Sequence, residues 1–392
     1  MPLWIATAMT LAAIMLAGSA NAALVKGSNQ DDLSSNGLSL RNELHGMQAE
    51  IASQEYWTPE RMKNAQELTM EPTNGFFAQE ELVTELDTQS GEEETTESGQ
   101  PPVRKFRPDR KNRLFEPDPV DSFMAELDPS EDVGSNAVGT FGAPFSSARV
   151  FQQADTVYPY RTIGRLFFTQ PGVGDFVCSA SVIRKRVIVT AGHCVHNGLG
   201  NIGQGSFFTN FRFIPSFRDG IAPFGTWTFA SATVTGTWAN GGGGVPNAAD
   251  YAVIELNDLF IFNATRRIGD VTGMLGFHTL SLNPNHLHMI GYPVNFDGGG
   301  KMHQVTAQAF RAVAPNNVEY GSDMQGGSSG GPWVENFGLL SVGQTDPGMN
   351  RVAGVTSYGY ISPDPKAQGA STFDKRFTDI VNLACGRRSG NC

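Results

Sequence analysis

Three short stretches of this chain carry side chains that could cooperate in one reaction. Gly327-Ser328-Ser329-Gly330-Gly331-Pro332 reads G-x-S-G-G-P. Thr190-Ala191-Gly192-His193-Cys194 follows the apolar run Val187-Ile188-Val189. Between them stands Asp250-Tyr251-Ala252-Val253-Ile254-Glu255-Leu256. A serine hydroxyl is a poor nucleophile at neutral pH, so it needs a base to take its proton and donors to hold the oxyanion it creates. An imidazole titrates near neutrality and suits the base, and a carboxylate fixes its tautomer and steadies the cation. The residue types therefore suggest acyl transfer by Ser329, with His193 as base and Asp250 as orienting acid. Ser329 is preferred to Ser328 because only Ser329 has glycines at −2, +1 and +2 and a proline at +3. The backbone N–H groups of Gly327 and Ser329 are the candidate oxyanion hole. The chemistry calls for no metal or organic cofactor.

The order His, Asp, Ser, with gaps of 57 and 79 residues, and the sequences around each resemble the chymotrypsin-like serine peptidases over roughly residues 150 to 385. The resemblance implies two perpendicular six-stranded antiparallel β-barrels and a C-terminal helix, an all-β class. His193 and Asp250 would come from the first barrel and Ser329 from the second. Many short strand-like runs with turn signals every eight to twelve residues suit such an architecture. The opening Tyr158-Pro159-Tyr160-Arg161-Thr162-Ile163-Gly164-Arg165-Leu166 looks like the bacterial glutamyl-endopeptidase branch. Ser328 departs from trypsin, which has Asp before the nucleophile to pair with a freed N-terminal amine. Activation here is expected to remove a pro-segment without that switch.

In the resemblance, the substrate-binding positions fall on Asp323, Ser357, Tyr358 and Gly359. Asp323 stands six residues before Ser329, where trypsin-like enzymes place an acidic floor. Glutamyl endopeptidases also have Asp there, but their histidine for the substrate carboxylate is replaced by Thr356 or Ser357. A mild preference for Lys or Arg is expected. Val355-Thr356-Ser357-Tyr358-Gly359 resembles the family's S-W-G edge, which pairs with the substrate backbone.

The elements that must position these residues leave further marks. Cys178 and Cys194 bracket the strand-like runs 179–183 and 186–190, so pairing them would staple the hairpin that presents His193. Such a loop is worth about 3 kcal/mol in the chain-entropy account, and the same cysteine spacing recurs in the family. Cys385 and Cys392 could close a small C-terminal loop. Ser371-Thr372 reads as a helix cap, with Phe373, Phe377, Ile380, Val381 and Ala384 on one face of the helix that follows. His286 and His288 form an H-x-H pair without a third ligand at metal-site spacing. Asn263-Ala264-Thr265 fits a glycosylation pattern.

Charge divides the chain. Residues 23–149 hold 11 Lys and Arg against 24 Asp and Glu, whereas residues 150–392 hold 17 against 15, which together give the net −11. The near-neutral second part offers no footprint for nucleic acid. Residues 1–22 read as a signal peptide, with an apolar run and the small-residue ending Ala20-Asn21-Ala22. Export implies a secreted product, periplasmic if retained, with no membrane association after signal removal. Residues 23–133 read as an acidic, largely disordered pro-segment, and 134–392 as the peptidase domain. Within the pro-segment, Leu40, Leu44, Met47 and Ile51 follow a helical period. Glu92-Glu93-Glu94 and Glu97 lie in a stretch too polar to fold. The basic cluster from Arg104 to Arg113 suits a processing site or a solvated stretch equally. The expected product is a monomeric endopeptidase acting on proteins or peptides. The alternatives are an inactive peptidase-fold binding or adhesion protein, and an esterase using the same groups.

Overall fold

The computed structural model describes residues 32–34, 37–43, 55–72, 94–116, 143–200, 206–338, 348–361 and 365–392. Six strands build the first half: β1 (Ile163–Gln170), β2 (Gly174–Val182), β3 (Val187–Thr190), β4 (Thr209–Pro215), β5 (Trp227–Thr235) and β6 (Ala252–Leu256). They pair antiparallel in the circuit β1-β2-β3-β6-β5-β4 and close from β4 back to β1. Six more build the second half: β7 (His286–Gly291), β8 (His303–Val313), β9 (Asn317–Gly321), β10 (Pro332–Glu335), β11 (Arg351–Gly359) and β12 (Ala367–Ser371). These close in the matching circuit β7-β8-β9-β12-β11-β10. Every strand has a neighbour on both sides along part of its length, and inward side chains fill the interior. The fold is two closed six-stranded antiparallel barrels with a C-terminal helix.

The first barrel is filled by aromatics. Phe167, Phe168, Phe211, Phe213 and Phe229 are fully buried, and Phe168 stacks on Phe208 at 5.3 Å. The second has its own smaller core around Leu287, Met289, Val305, Tyr320 and Trp333. Helix α1 (Lys375–Arg387) buries Phe377, Ile380, Val381 and Ala384, and Phe373 stacks on Phe377 at 3.7 Å just ahead of it. Its cap is Asp374, whose carboxylate accepts from the N–H of Arg376 at 2.9 Å. Ser371, expected in the cap, ends β12 instead, because its hydroxyl is committed to the backbone near Asp250.

Two expectations for the region before the barrels are corrected. Gly37–Glu43 is a strand, not a helix, and pairs antiparallel with residues 231–235 of β5, beyond the part of β5 that β4 covers. Unpaired backbone groups on β5 reward an added strand, and Leu38 and Leu40 alternate with polar neighbours as a strand requires. Leu44, Met47 and Ile51 lie outside the described residues. The disorder expected of the acidic region does not hold for 94–116. Thr96–Glu97 adds antiparallel to Gly276–His278, and Phe106 stacks on Phe262 at 4.8 Å. Backbone pairing and an aromatic contact supply what the polar composition lacks. Residues 55–72 also pack on the barrels, with Trp57 and Met62 buried. The signal segment and the Glu92-Glu93 pair lie outside the described residues.

Candidate active site

The candidate residues converge where the barrels meet. Strand β3 runs out through Ala191 into a short 3-10 turn, Gly192–Cys194, which carries His193. Gly192 is needed there because a Cβ would come within 2.8 Å of Trp238 and 3.0 Å of the Asp250 carboxylate. The Cys178–Cys194 disulfide ties the turn back to β2. Trp238 packs edge-on to the imidazole at 6.1 Å.

Asp250 lies two residues before β6 and is fully buried. One carboxylate oxygen accepts from the backbone N–H of His193 at 2.8 Å. The other lies 2.7 Å from His193 Nδ1 and accepts from the Ser357 hydroxyl at 2.6 Å. These contacts hold the buried carboxylate in place. With Nδ1–H given to Asp250, the neutral imidazole presents Nε2 as an acceptor. Nε2 is buried and has no hydrogen-bond partner among the described residues.

Ser329 sits on the loop leading into β10 and is only 5% exposed. Its neighbours Gly327 and Gly330 have φ of +87° and +76°, the left-handed region that favours glycine. A Cβ on Gly330 would strike Thr190 Oγ1 at 2.1 Å, so the loop lies directly against the strand that leads to His193. The loop is pinned to the first barrel by Ser179. Its N–H donates to the Ser329 carbonyl at 2.7 Å, and its hydroxyl donates to the Gly327 carbonyl at 2.9 Å. The same hydroxyl accepts from the N–H of Tyr292 at 2.9 Å, while Thr190 Oγ1 donates to the Ser179 carbonyl. Among the described residues the backbone N–H groups of Gly327 and Ser329 have no protein acceptor.

The Ser329 hydroxyl does not bond His193 in this structure. It donates to the carbonyl of Leu68 at 3.3 Å. Next to it opens a narrow cleft lined by Gln325, Ser328, Thr356, Tyr358, Gly359 and Gln368 among others. Asp323 is not in that lining. Ser322 Oγ donates to Gln368 Oε1 at 2.9 Å, and Gln368 Nε2 donates to Ser328 Oγ at 2.8 Å. Two members of this chain of neutral bonds, Gln368 and Ser328, belong to the lining. The Ser357 side chain is turned to Asp250, and Ser357 is not among the lining residues of the cleft. Tyr358 and Gly359 do line it. The Tyr358 hydroxyl donates to buried Glu319 at 3.0 Å, and burial pushes that phenol well above its ordinary pKa.

Both cysteine pairs are bonded, Cys178 to Cys194 and Cys385 to Cys392. His196 is structural: its Nδ1 accepts from the N–H of Gly198 at 2.9 Å. His286 and His288 lie on β7 with rings 6.5 Å apart, and burial, then the neighbouring ring, pushes His288 below its ordinary pKa. The one grouping of ligand-type atoms among the described residues is Cys178, His193 and Cys194, whose sulfurs are already bonded to each other. No described helix is long and apolar enough to cross a membrane.

Sequence reasoning missed Ser179, Ser371 and Gln368. Ser179 had a signal, since it follows a site cysteine directly. Gln368 had none, because its role depends on three loops meeting.

No family model matches the chain, and no curated protein matches it significantly. Among solved structures it is similar to the protease Anisep from Arthrobacter nicotinovorans, at 28% identity over 57% of this chain and 94% of that one, with a TM-score of 0.47. It is also similar to the thermostable serine protease AL20 from an extremophilic microorganism, at 26% identity over 60% and 100%, with a TM-score of 0.48. A Glu endopeptidase is similar at 21% identity over 63% and 98%, with a TM-score of 0.48.

Proposed function

We propose that the chain is a serine endopeptidase, exported as a precursor whose domain from about residue 134 carries the activity. The observation that carries this reading is the buried His193–Asp250 pair, with Nδ1 held at 2.7 Å and Nε2 left without a partner beside the Ser329 loop. In the proposed reaction Ser329 Oγ gives its proton to His193 Nε2 and attacks a peptide carbonyl carbon. The N–H groups of Gly327 and Ser329 hold the oxyanion, and Asp250 steadies the imidazolium. His193 then hands the proton to the leaving amine, and water releases the acyl group by the same steps in reverse. Ser357 and the His193 N–H keep the carboxylate aimed at Nδ1.

Substrates are proteins or peptides that add to the β11 edge in extended form. The neutral lining of the cleft favours an uncharged side chain before the cut, and cleavage mapping on a peptide library should show few cuts after Lys, Arg or Glu. The central test is a fluorophosphonate probe. It should label Ser329, and Ser329→Ala should abolish labelling and lower peptide hydrolysis by about 10⁵ or more. Hydrolysis that survives Ser329→Ala would end the reading, and a folded protein that binds peptides but never labels would favour the binding-protein alternative.

A further inference from the structure

Residues 66–71 of this chain cross the cleft, and their direction is informative. Gln66–Glu67 pairs in parallel with Phe176 and Val177 of β2. The Leu68 carbonyl then accepts from Ser329 Oγ at 3.3 Å. Thr69 and Met70 line the cleft. The Met70 carbonyl accepts from the Gly359 N–H at the end of β11, at 3.1 Å, and the Glu71 carboxylate accepts from the Ile361 N–H at 3.0 Å. The run therefore travels from the first barrel to the second.

Hydrolysis at the proposed site needs the opposite direction. The acyl half of a substrate, N-terminal to the cut, must fill the cleft beside Ser329 and β11. The leaving amine must face the imidazole, which belongs to the first barrel and returns the proton. A productive peptide thus runs from β11 toward β2. We propose that residues 55–72 are a built-in inhibitor that fills the cleft in reverse and is therefore not cut. The proposal rests on the endopeptidase reading and adds its regulation.

The local geometry explains the resistance to cutting. The oxygen of Leu68, and not its carbon, faces the nucleophile, and the hydroxyl's proton is directed to that oxygen instead of to His193. The segment is held from upstream. Trp57 is 5% exposed, donates from Nε1 to the Asn210 carbonyl at 2.5 Å and packs edge-on to Phe167 at 5.5 Å. Met62 is buried on the short helix Pro59–Asn64, which Thr58 caps. Tyr56 and Arg61 both bond Asp175, at 2.7 and 2.9 Å.

The test uses the full chain. Trp57→Ala with Met62→Ala should raise fluorophosphonate labelling and peptide hydrolysis about a hundredfold over the parent. Arg61→Ala removes only an exposed contact, cannot unfold the barrels, and should raise both by a few-fold. A synthetic peptide of residues 55–72, added to the double variant, should restore the block and be recovered intact. A parent chain as active as its variants, or a peptide cut between residues 66 and 71, would overturn the proposal. Hydrogen exchange at the Gly359 amide in a Ser329→Ala background reports the segment without any activity. It should be slow in that background alone and fast once Trp57 and Met62 are also replaced. Equal rates would refute the inhibitor. Segment-dependent exchange together with no labelling in any variant that keeps Ser329 would refute the endopeptidase reading alone.

Discussion

The two barrels share one strand circuit but hold their functional groups by different means. The first is packed with aromatic rings and stapled at its mouth by Cys178–Cys194. Its His193 and Asp250 stand near strand ends, fixed to each other by two short contacts. The second keeps a smaller apolar core with a charged network beside it. Glu319, 1% exposed, accepts from Arg311 and from the hydroxyls of Tyr358 and Tyr360. Glu335 lies between Arg351 and His278. Its Ser329 loop is tied to both barrels: Ser179 of the first bonds the Ser329 and Gly327 carbonyls, and Thr356 of the second pairs with Gly330 and Gly331. His193 is thus held by its own barrel, whereas the Ser329 loop is shared between the two.

The sharpest way to separate the two is to disturb one half at a time. Asp250→Asn changes the first barrel's tautomer control without changing its volume. It should lower kcat/KM by about 10³–10⁴ while the thermal midpoint barely moves. A large loss of stability would mean that the pair serves packing more than chemistry. Glu319→Gln acts on the second barrel. It removes the charge that Arg311 faces and weakens two phenol contacts, so urea unfolding should show a loss of about 2–3 kcal/mol. Activity should fall mainly through KM, since Tyr358 lines the cleft and His193 is untouched.

The smallest effect concerns Glu335 and depends on pH. His278 beside it, then the Arg351 guanidinium, hold its carboxyl at about 2, below the ordinary value of 4.5. A depressed carboxyl adds stability that is present above its unfolded pKa and is lost as pH falls through its folded pKa. Glu335→Gln should therefore cost about 1–2 kcal/mol at pH 7. The gap between variant and parent should shrink as the pH is lowered from about 4.5 toward 2, read from urea midpoints. A gap independent of pH would mean that shape, not charge, explains the contact.

Much of the barrel region was legible because its chemistry is local. The glycines around Ser329 and the Cys178–Cys194 spacing mark places where backbone and staple must do something particular, and the structure brings His193, Asp250 and the Ser329 loop together. The cleft wall was not legible. Asp323 has the right distance from Ser329 along the chain but is not in the lining, whereas Gln368 reaches it from β12 and bonds Ser328 across 40 residues of sequence. The region before the barrels misled for a related reason. Leu40 fits a helical period and also an alternating one, and only the unpaired stretch of β5 decides between them.

Leu68 reaches Ser329 on the same polypeptide that carries the cleft, across 261 positions of sequence. A segment attached in this way acts at a fixed local concentration, of millimolar order for a short flexible connection. Dilution on leaving a crowded compartment would not loosen it. One severed peptide bond between segment and barrels would turn that constant into an ordinary bimolecular equilibrium, and the released piece would leave the barrels on dilution.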